Sequence, residues 1–329
     1  GDELLVVGGD TWACPPNASC APPQDPPFRD GAAFNPRTGA WRRIADAPVP
    51  LASAATAVVR GTVYLRVPGI PGQPLHTSAF LGYSVQDDAW VELPWPDPSD
   101  HVHTLTSTGE RVVAVSASDE QAERPDWVFD PGTATWSPLP DDPLPAAFDR
   151  RIVSTGGRLV LFGKEIAALG APRPPPTLAA VFDVASARWQ RLPDGPVTDS
   201  LDWFAEGETL VNPSLDVGDG DPDRARRHGG VLDLVSGAWA PLPDPPAGKR
   251  QQAAGVRGDR RVEFFRYRGP LLDLPSGSWQ EVPSLHEGGE VEGRTVVTAG
   301  RDLFVSGGVG WSGRGDGVLL REGWLWSPG

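Results

Sequence analysis

The chain is 329 residues long and 39% hydrophobic, with 37 Pro and 39 Gly; that balance supplies a large core but favours many turns over long helices. Its formal net charge of −14 excludes nucleic acid as a general partner, and no apolar run approaches the roughly 18 residues that a membrane span needs. Lys164 and Lys249 are the only lysines among 29 basic residues and Met is absent, a bias that reads as GC-rich coding rather than as function. Because Gly1 is not Met, the chain is expected to begin after a processing step, with any signal peptide outside it.

The opening stretch, GDELLVVGGD, is an apolar strand that runs into the double glycine Gly8–Gly9. A loop of roughly twenty residues reaches from there to Asp30 and carries Trp12 and the chain's two cysteines, Cys14 and Cys20, in CPPNASC. A short Pro-rich loop closed by a disulfide fits that stretch and implies an oxidising compartment. The protein is therefore expected to be exported, whether extracellular, cell-surface or periplasmic. The NAS triplet at Asn17 is a glycosylation sequon of a kind that is common by chance.

Next comes FNPRTGAWRRIA, Phe34–Ala45. Pro36 presets the backbone of a type I turn, the Asn35 side chain can bond back to it, and Gly39 supplies a positive φ. The stretch is predicted to be a hairpin of two short strands. Trp41 opens the outer strand and is expected to pack against a neighbouring sheet.

The same phrase returns along the chain. SVQDDAW carries Trp90, FDPGTATWSPLP Trp136, FDVASARWQRLP Trp189, LDLVSGAWAPLP Trp239 and LDLPSGSWQEVP Trp279, with Trp324 or Trp326 ending the series. Spacings of 49, 46, 53, 50 and 40 residues separate Trp41 to Trp279, and periods near 50 are those of propeller-forming repeats. Upstream of each Trp from the second onward lies a strand, a turn at Gly, then an apolar strand. TAVVRGTVYLRV turns at Gly61, TLTSTGERVVAV at Gly109, RIVSTGGRLVLF at Gly157 and WFAEGETLV at Gly207; AAGVRGDRRVEF and TVVTAGRDLFVSGG turn at Gly258 and Gly300.

These motifs resemble those of the kelch-repeat family of β-propellers, including the galactose-oxidase-like central propellers. The double glycine is intact at Gly8–Gly9 and Gly307–Gly308 and lost in the blades between, and the second blade lacks the Asp-Pro turn. The resemblance implies an all-β fold: one domain over 1–329, a seven-bladed kelch-type propeller with four-stranded antiparallel blades. Blades are expected at about 1–47, 50–96, 99–141, 147–194, 197–244, 249–284 and 290–328. The first lacks its innermost strand, and residues 294–327 read as a complete four-stranded blade.

In kelch propellers the blade links and the loops between second and third strands share one face. The hairpin turns here are uniform and those loops vary widely, so that face is the candidate for binding. Reading eight residues back from each turn glycine places Ser53, His101, Asp149, Asp199, Arg250 and Glu292 at the channel mouth. Two residues on, and pointing the same way by strand alternation, come Ala55, His103, Arg151, Leu201, Gln252 and Arg294. These groups either pair and close the channel or form a polar ligand site.

Other patterns carry less. His101 and His103 share a strand face, as metal ligands sometimes do, and carboxylates for glycosidic chemistry could be drawn from Asp149, Asp199, Asp202, Glu290 and Glu292. Nearby arginines would push those carboxylates down in pKa rather than up, which favours salt bridges. DVGDGDPD, Asp216–Asp223, puts Arg224 where a calcium loop needs Gly, so a solvated acidic loop is the better reading. Pairing Cys14 with Cys20 leaves no thiol for the Tyr–Cys cross-link of galactose oxidases, so neither metal nor cofactor is expected. Trp12 and Trp311 stand outside the repeat and suit sugar stacking or a protein hot spot where exposed.

The expectation is a non-catalytic exported propeller that binds a protein or glycan through its looped face. The alternative is a carbohydrate-active propeller enzyme (epimerase, lyase or hydrolase) with its site at the channel mouth. The binding residues are expected among Trp12, His101, His103, Arg151, Asp199, Asp202, Arg250, Glu292, Arg294 and Trp311.

Overall fold

The computed structural model describes residues 3–11, 25–69, 78–97, 102–117, 125–166, 176–197, 203–212, 229–243, 255–257, 270–273, 277–281, 290–292, 294–299, 302–311 and 317–327. Cys14 and Cys20 lie outside them. Among the described residues every regular element is a strand, and no helix is long and apolar enough to cross a membrane. The chain divides into two compact units, Gly1–Asp10 with Gln24–Leu210 and Asp233–Ala238, and Thr11–Pro23 with Val211–Leu232 and Trp239–Gly329.

The first unit is a series of antiparallel sheets. β1 (Leu4–Val7), β2 (Gly31–Asn35) and β3 (Ala40–Arg43) form a three-stranded first sheet in that order, matching the expected lack of an innermost strand. The second sheet is β4 (Ala55–Val59), β5 (Thr62–Val67), β6 (Ala79–Ser84) and β7 (Ala89–Leu93). The third is β8 (His103–Ser107), β9 (Val112–Ser116), β10 (Trp127–Asp130) and β11 (Thr135–Pro138). The fourth is β12 (Ala147–Ser154), β13 (Arg158–Glu165), β14 (Thr177–Asp183) and β15 (Arg188–Arg191). A further four-stranded sheet, not confined to the first unit, orders β16 (Phe204–Glu206), β17 (Thr209–Asn212), β18 (Gly230–Asp233) and β19 (Ala238–Pro241).

One turn makes the six described hairpins that precede Trp41, Trp90, Trp136, Trp189, Trp239 and Trp279. The residue two before the hairpin Trp is left-handed each time: Gly39 (φ 70), Asp88 (φ 49), Ala134 (φ 54), Ala187 (φ 53), Gly237 (φ 69) and Gly277 (φ 62). The Asn or Asp that starts the turn caps it. Asn35 Oδ1 accepts from the amides of Arg37 and Thr38 at 3.0 and 3.2 Å, Asp130 from Gly132 at 2.8 Å, and Asp183 and Asp233 from Ser186 and Ser236 at 2.7 Å. The second sheet keeps the geometry without the Asp-Pro pair: Ser84 caps Asp87 instead.

Successive sheets bury their faces against each other. Leu51, Leu65 and Leu81 fill the layer beside Val7 and Trp90; Tyr64, Phe80, Val112 and Phe129 fill the next, with Trp95 and Trp136. Val113, Val115, Leu159, Leu161 and Phe182 fill the layer between the third and fourth sheets, with Trp189 against it. Full burial of one such side chain contributes about 1.5–3 kcal/mol, so each layer fixes the separation of its sheets. At the first junction a side chain on Gly8 (φ +64) would stand 2.2 Å from the Leu51 carbonyl oxygen. The double glycine is a backbone crossing point.

The second unit departs from the simple repeat. β20 (Gly255–Arg257) pairs in parallel with β21 (Pro270–Asp273), which pairs in turn with β22 (Ser278–Glu281). Residues 294–327 do not make one four-stranded blade. β23 (Glu290–Glu292), β26 (Val309–Trp311) and β27 (Gly317–Leu319) form one three-stranded sheet; β24 (Thr295–Ala299), β25 (Asp302–Ser306) and β28 (Gly323–Trp326) form another. Gly307 and Gly308, at φ 68 and 101, turn the chain out of β25. β26 therefore joins β23, and β28 takes the place beside β25, with Val305 opposite Trp324.

Candidate functional site

Antiparallel order brings the loops between second and third strands to the same end of each sheet as the links from one sheet to the next. In the first unit that end holds most of the buried charge. Arg66, near the end of β5, is 1% exposed. Its guanidinium donates to the Val67 carbonyl and to Ser78 Oγ, and lies over the Trp95 ring at 4.4 Å. The edge of that ring meets His103 at 4.9 Å between centroids, and His103 Nε2 stands 3.6 Å from Asp97.

Burial holds the His103 imidazole down to about 4; the Asp97 charge opposes this, and Arg66 and Arg150 add to it. The ring is therefore neutral over the ordinary pH range. A neutral, buried imidazole set against an indole is a packing element.

The second part of the cluster is centred on Arg150, at the start of β12. Its guanidinium donates to both Asp126 oxygens at 3.2 and 2.8 Å, to Asp142 at 2.9 Å and to the Ser116 carbonyl at 3.1 Å. Asp126 also accepts the Ser116 amide at 3.0 Å. Burial raises the Asp126 carboxyl above its usual range, against the pull of Arg150 and the Ser116 amide. Charge-assisted bonds of this kind are the strong ones, and these tie the third sheet to the fourth.

Alternation along an unbroken strand would make Asp149 and Arg151 point together. A bulge between Phe148 and Arg151 breaks that register, with Asp149 at φ 51. The extra residue sends Arg150 into the sheet junction and leaves Arg151 exposed. Asp149 turns to Lys164 Nζ at 3.2 Å. Ser53, at the matching position of the second sheet, has φ 52, so the kink recurs.

Of the residues expected at the site, Trp12, His101, Asp199, Asp202 and Arg250 lie outside the described residues. Glu292 is in β23, opposite Val309. Arg294 is half-buried with its guanidinium 5.3 Å from the Trp324 ring, and burial lowers its pKa. Trp311 is buried, 7% exposed, so it presents no stacking surface. His103 is likewise buried, 4% exposed. Among the described residues no three His, Cys, Asp or Glu side chains converge as metal ligands would.

The residues that do come together, Arg66, Trp95, Asp97, Asp126, Asp142 and Arg150, were not legible as a set. All but Arg66, which lies within β5, sit just outside a strand or beside a bulge, where periodicity gives no direction. The class that the fold defines is an all-β protein with several four-stranded antiparallel sheets, an architecture compatible with a β-propeller. Comparison with protein-family models finds no match to this chain, and comparison with curated proteins finds none either.

Proposed function

We propose that the chain is a seven-bladed propeller of the kelch type that binds a protein or a glycan, without catalysis, through the face bearing the long inter-strand loops. One observation carries the reading. The charged groups nearest those loops, Arg66, Asp126 and Arg150, and the buried His103 are engaged in holding sheet to sheet. A rigid end of this kind supports variable loops, which is the usual division of labour between scaffold and binding surface. The single turn geometry of six hairpins and the recurring Trp support the repeat count.

The same proposal places the protein outside the cytoplasm, on the strength of the Cys14–Cys20 loop. Thiol titration of the unfolded, unreduced protein is expected to find no free thiol.

The experiment is a paired one on the purified chain: binding to glycan and secreted-protein arrays, with mass analysis of each bound sugar after long incubation. Saturable binding of one ligand class with the sugar recovered unchanged is the expected result. Conversion of a bound sugar would replace this reading with the enzyme one.

A further inference from the structure

Among the described residues, every buried or half-buried arginine or lysine except one has a bonded partner. Arg42 meets Glu3, Arg150 meets Asp126 and Asp142, Arg158 meets Glu208 and Lys164 meets Asp149. Arg66, which lies over the Trp95 ring, donates to Val67, Ser78 and Ala79. Arg294 is the exception. Its Nε is buried without a hydrogen-bond partner. Burial is the cause of its lowered pKa, with no described carboxylate pulling the other way.

The strand order accounts for this position. Arg294 immediately precedes β24, whose first residue, Thr295, stands opposite Ser306 of β25. β25 lies between β24 and β28, and its Val305 stands opposite Trp324. The Arg294 side chain therefore spans β25, and its guanidinium comes to rest over the Trp324 ring, 5.3 Å from the centroid. An indole attracts a guanidinium through its π face but offers no hydrogen-bond acceptor. The ring holds the cation and leaves its N–H donors unsatisfied.

A guanidinium stays charged in a folded protein, and a charge drawn out of water without a counter-charge is costly. The chain has 43 acidic residues against 29 basic ones, so this cation does not stand alone for want of carboxylates. A bound anion would supply the missing charge. The fork of a guanidinium matches a carboxylate with two parallel bonds. One carboxylate also balances one guanidinium, whereas a phosphate dianion would leave excess negative charge in a half-buried place. We propose that Arg294, held by Trp324, binds the carboxylate of a ligand. This names the group recognised and rests on the binding role above for its source, an acidic sugar or an acidic side chain of a protein.

The test titrates small probes into the full chain at low salt, followed by ligand-observed NMR. They are D-glucuronate with D-glucuronamide, and the N-acetyl amides of glutamate and glutamine, with inorganic phosphate as a competitor. Saturable binding of at least one carboxylate is expected, about tenfold tighter than its own amide and tighter than phosphate. The carboxylate that binds distinguishes sugar from protein. Arg294→Gln should remove the preference for acid over amide. It should leave the thermal midpoint unchanged or raised, because it also removes an uncompensated charge; a lowered midpoint would count against the site by making the arginine part of the fold. Should the Gln variant not fold, Arg294→Lys serves: it keeps the charge and loses the fork, so binding should weaken several-fold. The inference is overturned by a folded wild-type chain that binds neither carboxylate, by acid and amide binding alike, by phosphate binding as tightly, or by a preference that survives Arg294→Gln. An array ligand whose affinity Arg294→Gln leaves untouched would overturn this inference and keep the binding role. Carboxylate binding with no array ligand would do the reverse.

Discussion

The Trp136 indole donates to the Pro94 carbonyl at 2.6 Å, across the junction from the third sheet to the chain leaving the second. Trp90 reaches Ala45 at 2.8 Å and Trp189 reaches Pro140 at 2.7 Å in the same way. Each of these three is thus a staple: its ring packs on the Phe or Tyr opposite it, and its nitrogen bonds to the preceding sheet's outgoing chain. Trp136→Phe keeps most of the ring contact and loses the bond, so it should destabilise by about 0.5–1.5 kcal/mol. Trp136→Ala should cost more, about 2–4 kcal/mol for a half-buried aromatic. Urea unfolding of the two variants checks the order; a Trp136→Phe variant as stable as wild type would mean that the hydrogen bond contributes nothing.

The hairpins carry a second expectation. Ala134 and Ala187 sit at φ 54 and 53, where an L-residue with a Cβ is strained by about 1–2 kcal/mol. Ala134→Gly and Ala187→Gly should each stabilise by about 0.5–1 kcal/mol, the relief of strain being offset in part by glycine's larger entropy loss. Asp88 holds the same conformation but is a different case. Its carboxylate accepts the Tyr83 hydroxyl at 2.6 Å and the Ala45 amide at 2.9 Å. Asp88→Gly should therefore destabilise, and a stabilising outcome would show that these two bonds do not offset the strain.

That contrast marks what the sequence can and cannot say. The hairpins were legible because their information is local: Asn35, Asp130 and Asp183 cap a turn two or three residues away, and a Trp follows at fixed distance. The strands after the turn glycines Gly61, Gly109 and Gly157 were legible for the same reason. The bulge at Asp149 was not, since nothing in AFDRRIV distinguishes a bulged strand from a regular one, and it decides which arginine enters the junction. Arg151 was chosen by alternation, and Arg150 is the residue that is buried. Nor could spacing show that Gly307–Gly308 would send β26 to β23, because that choice depends on a partner from outside the hairpin.

Arg150 offers a sharper test of the junction. Removing it by Arg150→Ala leaves Asp126 buried without its ion-pair partner, and breaking one side of a buried pair costs about 3–5 kcal/mol. Replacing the pair together, Arg150→Met with Asp126→Leu, removes the stranded charge as well as the bond. The double variant should lose clearly less than the sum of its two single variants. Additive losses in chemical denaturation would show that the two side chains act separately, against the paired geometry at 2.8 Å.

The buried imidazole sets an acid limit on stability. His103 is held down to about 4 in the folded chain from an ordinary value of 6.5, burial being the largest cause; Asp97 pulls it up, and Arg66 and Arg150 push it further down. The unfolded chain therefore takes up a proton as the pH falls through about 6.5, while the folded chain resists until about 4. Protons bound preferentially to the unfolded state make stability fall with falling pH. The contribution is fully present above about pH 6.5, is lost between there and about 4, and is flat below. A gap of that width corresponds to about 3 kcal/mol at most. In His103→Leu the group is gone, so its share of the slope should vanish while the slopes from carboxylates such as Asp126 persist. Urea unfolding of wild-type and variant between pH 7.5 and 4 measures the difference directly. Parallel curves over that range would mean that His103 titrates alike in both states, and hence that its ring is solvated rather than packed beneath Trp95.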